Sequence, residues 1–557
     1  MPLFSKSKKK EESKKEKEML KALKDKRDLA IEFRENTGWD ERAKRAWNYY
    51  KYGTAEDLDD ATLLTRKKRY ANYVFSNIES IIPKIFDRFP GFQVKPRGNE
   101  DIDNAPVAEE LLRYKVDRTD LEQKYEYAVR DMLVPGFGLI KLTWGFQGSI
   151  EKKKEGDEED YDVNIEYDDI RLEVLDPMNF YITAGDCRLD EAEGCFERMY
   201  VSPDIAKSRY GKEIKADYTL TKDENSNLKG EAKRCVIWQY TGRCKGKDGI
   251  WYFTDTEVLD FVEPYEHGQK PYVVLPNYRT STEFYGLSEV FEIEPLQDEL
   301  TEIDRQFSEF RKRAINPRKI VKSGAVDETN LARLKDPRIN VVEANDPNGI
   351  SWENPALIGQ DLYNIRLNVK EDIGLITGQN ELSRGGTERT IQTATGQQIL
   401  FDAAQSRIRQ KTRTLEAAVK KTLQQMQGLM AQYMDKEEMI QARDSGDNPF
   451  AEYTKEDIAG NFDYIIDIVE STPILREKRG QLAQQAYQAF KDDPDIDQRM
   501  LKQKVLKLTF GDINAEELVK EPDIEEMPEE LPMQEPMQQP PVDMASLQGL
   551  MGNVPLQ

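Results

Sequence analysis

Cysteine and histidine are common metal ligands and catalytic residues, and this sequence contains four cysteines and one histidine. Cys187 and Cys195 are eight positions apart, Cys235 and Cys244 are nine apart, and no C-x-x-C pair occurs. Zinc sites usually take closely spaced cysteines or several histidines, so this spacing favours reduced thiols over a zinc site. The single histidine, His267, excludes a His-based triad and a multi-histidine metal centre, and its stretch EPYEHGQKPY reads as a loop.

Motifs for other enzymatic chemistry are absent from the sequence. It contains no G-x-x-x-x-G-K-[ST] phosphate loop, no G-x-S-x-G or H-E-x-x-H signature and no EF-hand loop. Acidic residues are plentiful, but a metal-dependent nuclease would have to assemble its carboxylates from scattered positions. We therefore predict a protein that is not an enzyme and that uses no cofactor or metal.

Composition indicates an assembling protein with much solvated surface. The 557 residues allow roughly three or four modules. The apolar share is 38%, the charged share is 33% and the formal net charge is −23. Such acidity disfavours tight gripping of nucleic acid. It is compatible with a conduit along which DNA slides, and the alternative is that it serves only solubility. No apolar run approaches the ~18 residues of a membrane span, and the start lacks an apolar signal-peptide core, so we expect neither membrane insertion nor export.

Apolar periodicity predicts an α+β region in the first half of the chain. Residues 41–89 read as helical, with a kink or restart at Pro83, and a further helix precedes the break at VPGFG. LIKLTW alternates as a strand does, and EKKKEGDEED then reads as a charged hairpin loop. Strands follow in VNIEY, IRLEV, VIWQY, IWYFTD and PYVVLPNY. The apolar helix faces are Val74, Ile78, Ile81, Ile82 and Ile85, and Leu121, Tyr125, Val129 and Met132.

Long helices dominate the second half. Residues 287–314 form a helix interrupted only by Pro295, with acidic residues before basic ones, as the helix dipole favours. A module at 316–360 contains RKIVKSG and INVVEA as strands, and DLYNIRLNVKEDIGLITG returns as a second helix. Two helices that bracket a compact insertion place it at the end of a stalk.

The remaining segments are a long helix, a strand and two unusual ends. Residues 391–434 are helix-compatible, and NFDYIIDIVES reads as a strand before two shorter helices. Lysine-rich residues 5–27 read as a frayed, solvated helix, with contact to DNA or a partner as the alternative. The acidic, Pro- and Met-rich end is typical of disorder. The buried face of the long helix is predicted as Leu415, Val419, Leu423, Met426 and Met430.

Several phrases, in their order, resemble the portal proteins of tailed double-stranded DNA phages. They are AWNYYKYG, NYVFSNIESIIPKIF, MLVPGFGLIKLTW, LDPMNFYITAGDCRLDEAEGCFERMYVSPDIAKSRYG, YGLSEVFEIEPLQDELTEIDRQFSEFRKRAINP and GGTERTIQTATGQQ. The resemblance covers roughly residues 40–515. It implies an α+β portal fold with an α/β wing, a two-helix stem, a small α/β clip, a long wing helix and a helical crown, in a ring of usually twelve subunits.

The resemblance also implies regions of the chain. They are a wing at 40–286, stem helices at 287–315 and 361–378, a clip at 316–360, a tunnel loop at 379–390, a long wing helix and strand at 391–470 and a crown at 471–520. The charged N-terminal segment at 1–39 and the disordered tail at 521–557 follow from composition; they have no counterpart in the family, and their roles stay open.

Three groups of residues receive roles from the resemblance. A tunnel loop would touch the DNA backbone without reading bases, and the alternative is an ordinary polar loop. A basic belt near the clip would meet DNA or the packaging motor, and the alternative is a solvated face. A stem stripe would pack between subunits, and the alternative is an intramolecular helix face. The three groups are Asn380, Arg384, Glu388, Arg389 and Thr390; Arg311, Lys312, Arg313, Arg318 and Lys319; and Leu296, Leu300, Ile303, Phe307 and Phe310.

The implied function is a channel for packaging and ejection of double-stranded DNA at one capsid vertex. Its implied partners are further copies of the chain, the passing DNA, the major capsid protein, the terminase large subunit and tail adaptor proteins, with no membrane. The implied location is the virion, and the host cytoplasm during assembly. The alternative function is another head-tail adaptor or scaffold protein, but a mostly helical adaptor would lack the strand-rich segments before Tyr278.

Overall fold

A computed structural model describes most of the first 467 residues and scattered positions beyond them. The described ranges are 3–55, 71–86, 90–155, 158–220, 232–315, 319–334, 345–352, 360–378, 406–434, 438–441, 450–453, 460 and 462–467, with scattered helical positions between 483 and 506. The chain divides into two compact units, Met1–Val469 and Glu470–Gln557. Among the described positions of the second unit, Ala483 is buried. No helix within the described ranges has the length and apolar content of a membrane span.

The first unit contains both helices and strands. The helices are α1 (Leu3–Asn36), α2 (Trp39–Tyr52), α3 (Tyr73–Ile85), α4 (Asn104–Arg118), α5 (Leu121–Leu133), α6 (Pro203–Tyr210), α7 (Glu289–Ile315), α8 (Glu328–Leu334), α9 (Gln360–Thr377) and α10 (Ser406–Tyr433). The strands are β1 (Gly91–Pro96), β2 (Phe137–Glu155), β3 (Glu158–Val174), β4 (Phe180–Ile182), β5 (Gly194–Val201), β6 (Tyr218–Leu220), β7 (Ala232–Cys244), β8 (Lys247–Phe253), β9 (Val258–Val262), β10 (Tyr272–Pro276), β11 (Lys319–Val321), β12 (Ile350–Trp352), β13 (Glu438–Gln441), β14 (Phe450–Tyr453) and β15 (Phe462–Asp467). The α+β prediction is confirmed for this unit.

Local periodicity predicted the helices of the core well. Every residue assigned to the apolar faces of α3 and α5 is buried. Pro83 does not restart a helix: it lies in the last turn of α3, which ends two residues later at Ile85. A proline there removes one backbone hydrogen bond, which is tolerable where a helix is about to end.

The lysine-rich N-terminus is helical as far as Asn36, and the second half of this helix is packed rather than solvated. Leu23 and Ala30 are buried against the six-stranded sheet. Arg34, 3% exposed, donates hydrogen bonds to the carbonyls of Phe180 (2.9 Å) and Met178 (3.0 Å). The expectation of a frayed, solvated segment is therefore wrong from Met19 onward, because a few widely spaced contacts anchor a helix that has little apolar periodicity, whereas residues 14–18 are exposed.

A long hairpin replaces the predicted charged loop. Strands β2 and β3 pair from Ile140 opposite Val174 to Glu155 opposite Glu158. EKKKEGDEED thus extends both strands, and VNIEY and IRLEV belong to one strand. Backbone pairing does not require side-chain alternation, so EKKKEGDEED, which has no apolar residue, gives no period-two signal.

A buried polar cluster joins two sheets. The first sheet has the order β10-β2-β3, and the second has the order β4-β5-β7-β8-β9 with β6 on β7; all pairs are antiparallel. Lys141 of β2 donates from Nζ to Glu197 and to Gln239 of the second sheet, both at 2.7 Å. The hydroxyl of Tyr272 donates to Glu197 at 2.9 Å. Because all four side chains are buried, these bonds fix how the sheets meet.

Helix α10 lies at the centre of the main hydrophobic core. Its predicted buried face is confirmed, since all five residues of that face are 0% exposed. The helix packs against α3, α4, β2, β10 and β15, and the last of these pairs with β1. The hydroxyls of Tyr125 and Thr422 lie 2.6 Å apart inside this packing. Residues 391–405 of the predicted helix lie outside the described residues.

Truncating the buried face of α10 is expected to destabilise the first unit. Leu423→Ala should lower the free energy of unfolding by about 2–5 kcal/mol, since it leaves a cavity in a closed core. Lys420→Ala, an exposed position on the same helix, should change it by less than about 0.5 kcal/mol. Chemical unfolding followed by tryptophan fluorescence measures both, and equal midpoints would contradict a core position for Leu423.

Candidate functional site

Helix α7 is fixed at its start by a buried ion pair. Lys411 of α10 lies 2.8 Å, Nζ to Oε2, from Glu289, and the two side chains are 5% and 4% exposed. Lys411 also donates to the side-chain oxygen of Asn277, and the amide of Asn277 donates to Glu289 at 3.3 Å. Asn277 directly follows β10. These three side chains therefore join the end of a sheet to two long helices.

Further polar contacts hold the first turns of α7. The buried Gln297 accepts a hydrogen bond from the backbone N–H of Tyr73 (2.9 Å) and donates to the carbonyl of Ala71 (3.0 Å). The hydroxyl of Tyr49 donates to Asp298 at 2.7 Å. Burial and this hydrogen bond raise the pKa of the Tyr49 hydroxyl. The base of α7 is thus tied to both α2 and α3.

Beyond this base, α7 packs along α9. Arg366 donates from Nε to Oδ1 of Asp304 at 2.7 Å, and this hydrogen bond raises the pKa of Arg366. The rings of Phe307 and Tyr363 have centroids 4.8 Å apart. The predicted pair of long helices around a small module is therefore present in the structure.

The module between the two helices contains a strand pair and helix α8. Strand β11 runs antiparallel to β12, with Ile320 opposite Ser351. The strand predicted in RKIVKSG is confirmed over the three residues of β11, whereas INVVEA lies outside the described residues. Ile315 and Ile320 are 69% and 56% exposed. The end of α7, through Ile315, and the module, through Ile320, thus each present an apolar side chain to the surroundings.

The predicted stem stripe faces mainly into the chain. Leu300 and Ile303 are buried in the main core, and Leu296 is half-buried against it. For these residues the structure supports the intramolecular alternative, because their side chains are already covered within one chain. Phe307 and Phe310 are half-buried, and their packing between subunits stays a prediction.

The predicted basic belt is described in part. Arg311, Lys312 and Arg313 are exposed in the last turn of α7. Lys319 opens β11, and Arg318 lies outside the described residues. The same holds for the tunnel-loop residues Asn380, Arg384, Glu388, Arg389 and Thr390.

An exposed apolar face on α9 was not singled out from the sequence. Tyr363, Leu367 and Leu375 are 50%, 54% and 65% exposed. Leu367 and Leu375, eight residues apart, lie about 80° apart around the helix axis and share a face, whereas Tyr363 lies at the border of that face and packs on Phe307 of α7. Val369 and Ile373 are buried on the opposite side. The sequence feature that could have indicated this face is the presence of apolar residues on two sides of α9, since a helix packed on one partner needs only one apolar stripe.

The four cysteines and the single histidine all lie in described parts of the first unit. All four cysteines are free, and burial raises the pKa of the thiols of Cys195, Cys235 and Cys244. His267 stacks on Tyr265 with ring centroids 5.4 Å apart, and burial lowers its pKa. Within the described ranges, no cluster of three or more His, Cys, Asp or Glu residues could hold a metal ion.

Comparison with known proteins identifies two family models along the chain. Residues 249–551 match the model for "Phage SU10 portal protein", and residues 26–249 match that for "Phage P22-like portal protein". Comparison with curated sequences gave no match. The solved structure "Neck of empty GTA particle computed with C6 symmetry" is similar at 12% identity and a TM-score of 0.40, over 81% of this chain and 94% of that chain. "Virion of native gene transfer agent (GTA) particle" is similar at 11% identity and a TM-score of 0.36, over 78% and 89%.

Breaking the ion pair at the base of α7 is expected to destabilise the chain by about 3–5 kcal/mol, since Lys411→Met leaves Glu289 buried without its cation. Adding Glu289→Gln to Lys411→Met should recover a large share of that loss, because no charge is then buried alone. Thermal unfolding of the single and double variants measures this, with the exposed Lys420→Met as control. Additive losses in the double variant would contradict direct coupling of the two side chains.

Proposed function

The chain belongs to the phage SU10 portal protein family, and from this premise we propose that its copies form a closed ring at one vertex of a phage capsid, through which double-stranded DNA enters and leaves. The protein acts as a structural component of the virion rather than as an enzyme. Its outer surface docks the major capsid protein, the terminase large subunit during packaging, and later the tail adaptor. Twelve subunits are the proposed number.

The exposed apolar face of α9 is the observation that supports the ring most directly. Leu367 and Leu375 are more than half exposed on a helix whose other side, including Tyr363 against Phe307, is already packed on its own chain. Burying a large apolar side chain stabilises an assembly by roughly 1.5–3 kcal/mol relative to its exposure. In a ring, one face of each subunit packs against a different face of the next subunit. The same α9 face can therefore form the contact between every pair of neighbours.

The charge of the chain suits passage of DNA. Part of the net charge of −23 per subunit, in this proposal, lines the channel and repels phosphate groups, so DNA is not held tightly. In this proposal the exposed Arg311, Lys312 and Arg313 form a local basic belt at the end of the stem, near the clip at 316–360. The loop at 379–390 reaches the DNA backbone from the end of α9, where Gly378 has a φ of 71°.

A charge on the α9 face is expected to prevent ring closure. Leu367→Asp places a carboxylate in the proposed subunit contact, whereas Leu367→Met keeps it apolar and serves as the matched control. Native mass spectrometry and negative-stain imaging should show rings of twelve 64.5 kDa chains for the parent and for Leu367→Met, and monomers for Leu367→Asp. Because Leu367 is exposed in the single chain, the thermal midpoint of the monomer should stay unchanged. Rings of Leu367→Asp equal in yield to the parent would argue against this contact.

Deletion of residues 382–390 is expected to spare ring assembly and to impair DNA packaging or retention, because the loop contacts DNA and not a neighbouring subunit. Ring formation is read from native mass, and packaging from nuclease-protected DNA in assembled particles. Normal packaging by the deletion variant would refute the role of the loop.

A further inference from the structure

The hairpin of β2 and β3 extends far beyond the sheet to which it belongs. Strand β10 pairs with β2 only over Phe137 to Lys141, whereas the pairing of β2 with β3 continues to Glu155 opposite Glu158. From Phe146 to Glu155 the ribbon would span about 33 Å, at about 3.3 Å per residue. Within the described part of the chain, no other strand pairs with this outer portion.

A two-stranded ribbon of this length is marginally stable in water by itself. Each outer edge also leaves backbone N–H and C=O groups without a strand partner, and such edges readily pair with another strand. The core of this chain contributes no third strand to the ribbon among the residues described. A strand supplied by another molecule would both complete the backbone hydrogen bonding and widen the sheet.

In sequence, the two strands of the ribbon have runs of opposite formal charge. Lys152, Lys153 and Lys154 follow one another on β2, and Glu158, Glu159 and Asp160 follow one another on β3. The register places Lys153 opposite Asp160 and Lys154 opposite Glu159, so both charged runs lie at the same distance from the turn. Edge lysines alone commonly keep strands apart. Here, however, the opposite edge is acidic, so like edges repel and unlike edges attract.

We infer that the hairpins of neighbouring subunits pair edge to edge, with β3 of one copy running antiparallel to β2 of the next. The inference rests on the proposed ring. Because its hairpins are related by rotation about one axis, each hairpin has β2 on the same side and β3 on the other side as one goes around the ring. Two hairpins that lie side by side and point the same way bring β3 of one beside β2 of the other, and these strands run in opposite directions. The contact joins two different edges, as closed rotational assembly requires.

Disulfide trapping between two single-cysteine chains tests this pairing. One full-length chain carries Lys153→Cys and the other Asp160→Cys, each in a Cys187→Ser background because the other three native cysteines are buried. The two chains, with different tags, are co-expressed so that rings contain both. Neither chain can form the bond within its own hairpin, so a disulfide joins separate subunits and requires Cα atoms about 4.4–6.8 Å apart.

The expected result is a cross-linked species of twice 64.5 kDa that carries both tags and is several-fold stronger than the cross-linking of either variant assembled alone. Lys153→Cys co-assembled with Lys420→Cys, an exposed position on α10, is the control and should give none. Asp162→Cys in place of Asp160→Cys tests a register displaced by two residues. A strong mixed cross-link of Lys153→Cys with either of these two variants supports the inference.

The contradicting outcomes separate this inference from the ring itself. Rings of normal mass without a mixed cross-link at either position overturn the strand pairing and leave the ring intact. A predominant bond between two Lys153→Cys chains overturns the proposed order of edges, since like edges would then meet. Chains that stay monomeric in the parent as well as in the variants overturn both proposals.

Discussion

The buried ion pair between Lys411 and Glu289 is the contact on which the arrangement of the first unit depends. It lies where the three-stranded sheet ends, where α7 begins and where α10 passes, and both side chains are almost completely buried. A charge in such a place destabilises the fold unless its partner is present with good geometry. Asn277 completes the geometry by contacting both charges. The direction in which α7 leaves the core is therefore fixed by electrostatics as well as by packing.

Two other buried lysines perform the same task elsewhere. Lys141 joins the two sheets through Glu197, and Lys115 of α4 lies 2.7 Å from Asp169 of β3. Each pair links elements that are distant in sequence, and each would leave an uncompensated charge if the elements separated. The hydrophobic core supplies most of the driving force for folding, but it is non-directional. These ion pairs add the directional contacts that select one packing of the same apolar faces.

Helices α7 and α9 carry two kinds of apolar residue, those covered by the chain itself and those proposed to contact a second subunit. Leu300 and Ile303 are covered by their own chain, so they stabilise the subunit. Leu367 and its neighbours on α9 remain exposed, so they are available to a second subunit. A ring subunit needs both kinds of surface, because it must first fold and then meet copies of itself through different faces. The acidic total charge fits the same scheme, since a conduit must surround DNA without binding it tightly.

The sequence by itself determined the elements whose signal is local. The apolar faces of α3, α5 and α10 follow the helical period, and the phrases shared with portal proteins indicated the family before any contact was known. Only the tertiary structure decided what depends on distant partners. Lysine side chains are usually exposed, so nothing in the sequence marks Lys411 and Lys141 as buried. They are buried because each is paired with a carboxylate from another element. The charged run EKKKEGDEED within the β2–β3 hairpin has no alternation that would identify it as strand. Helix α1 is anchored by a few contacts with a sheet formed more than a hundred residues later. A stripe such as that of Leu300 looks the same in sequence whether its partner is internal or a second subunit, because periodicity records a buried face and not the molecule that buries it.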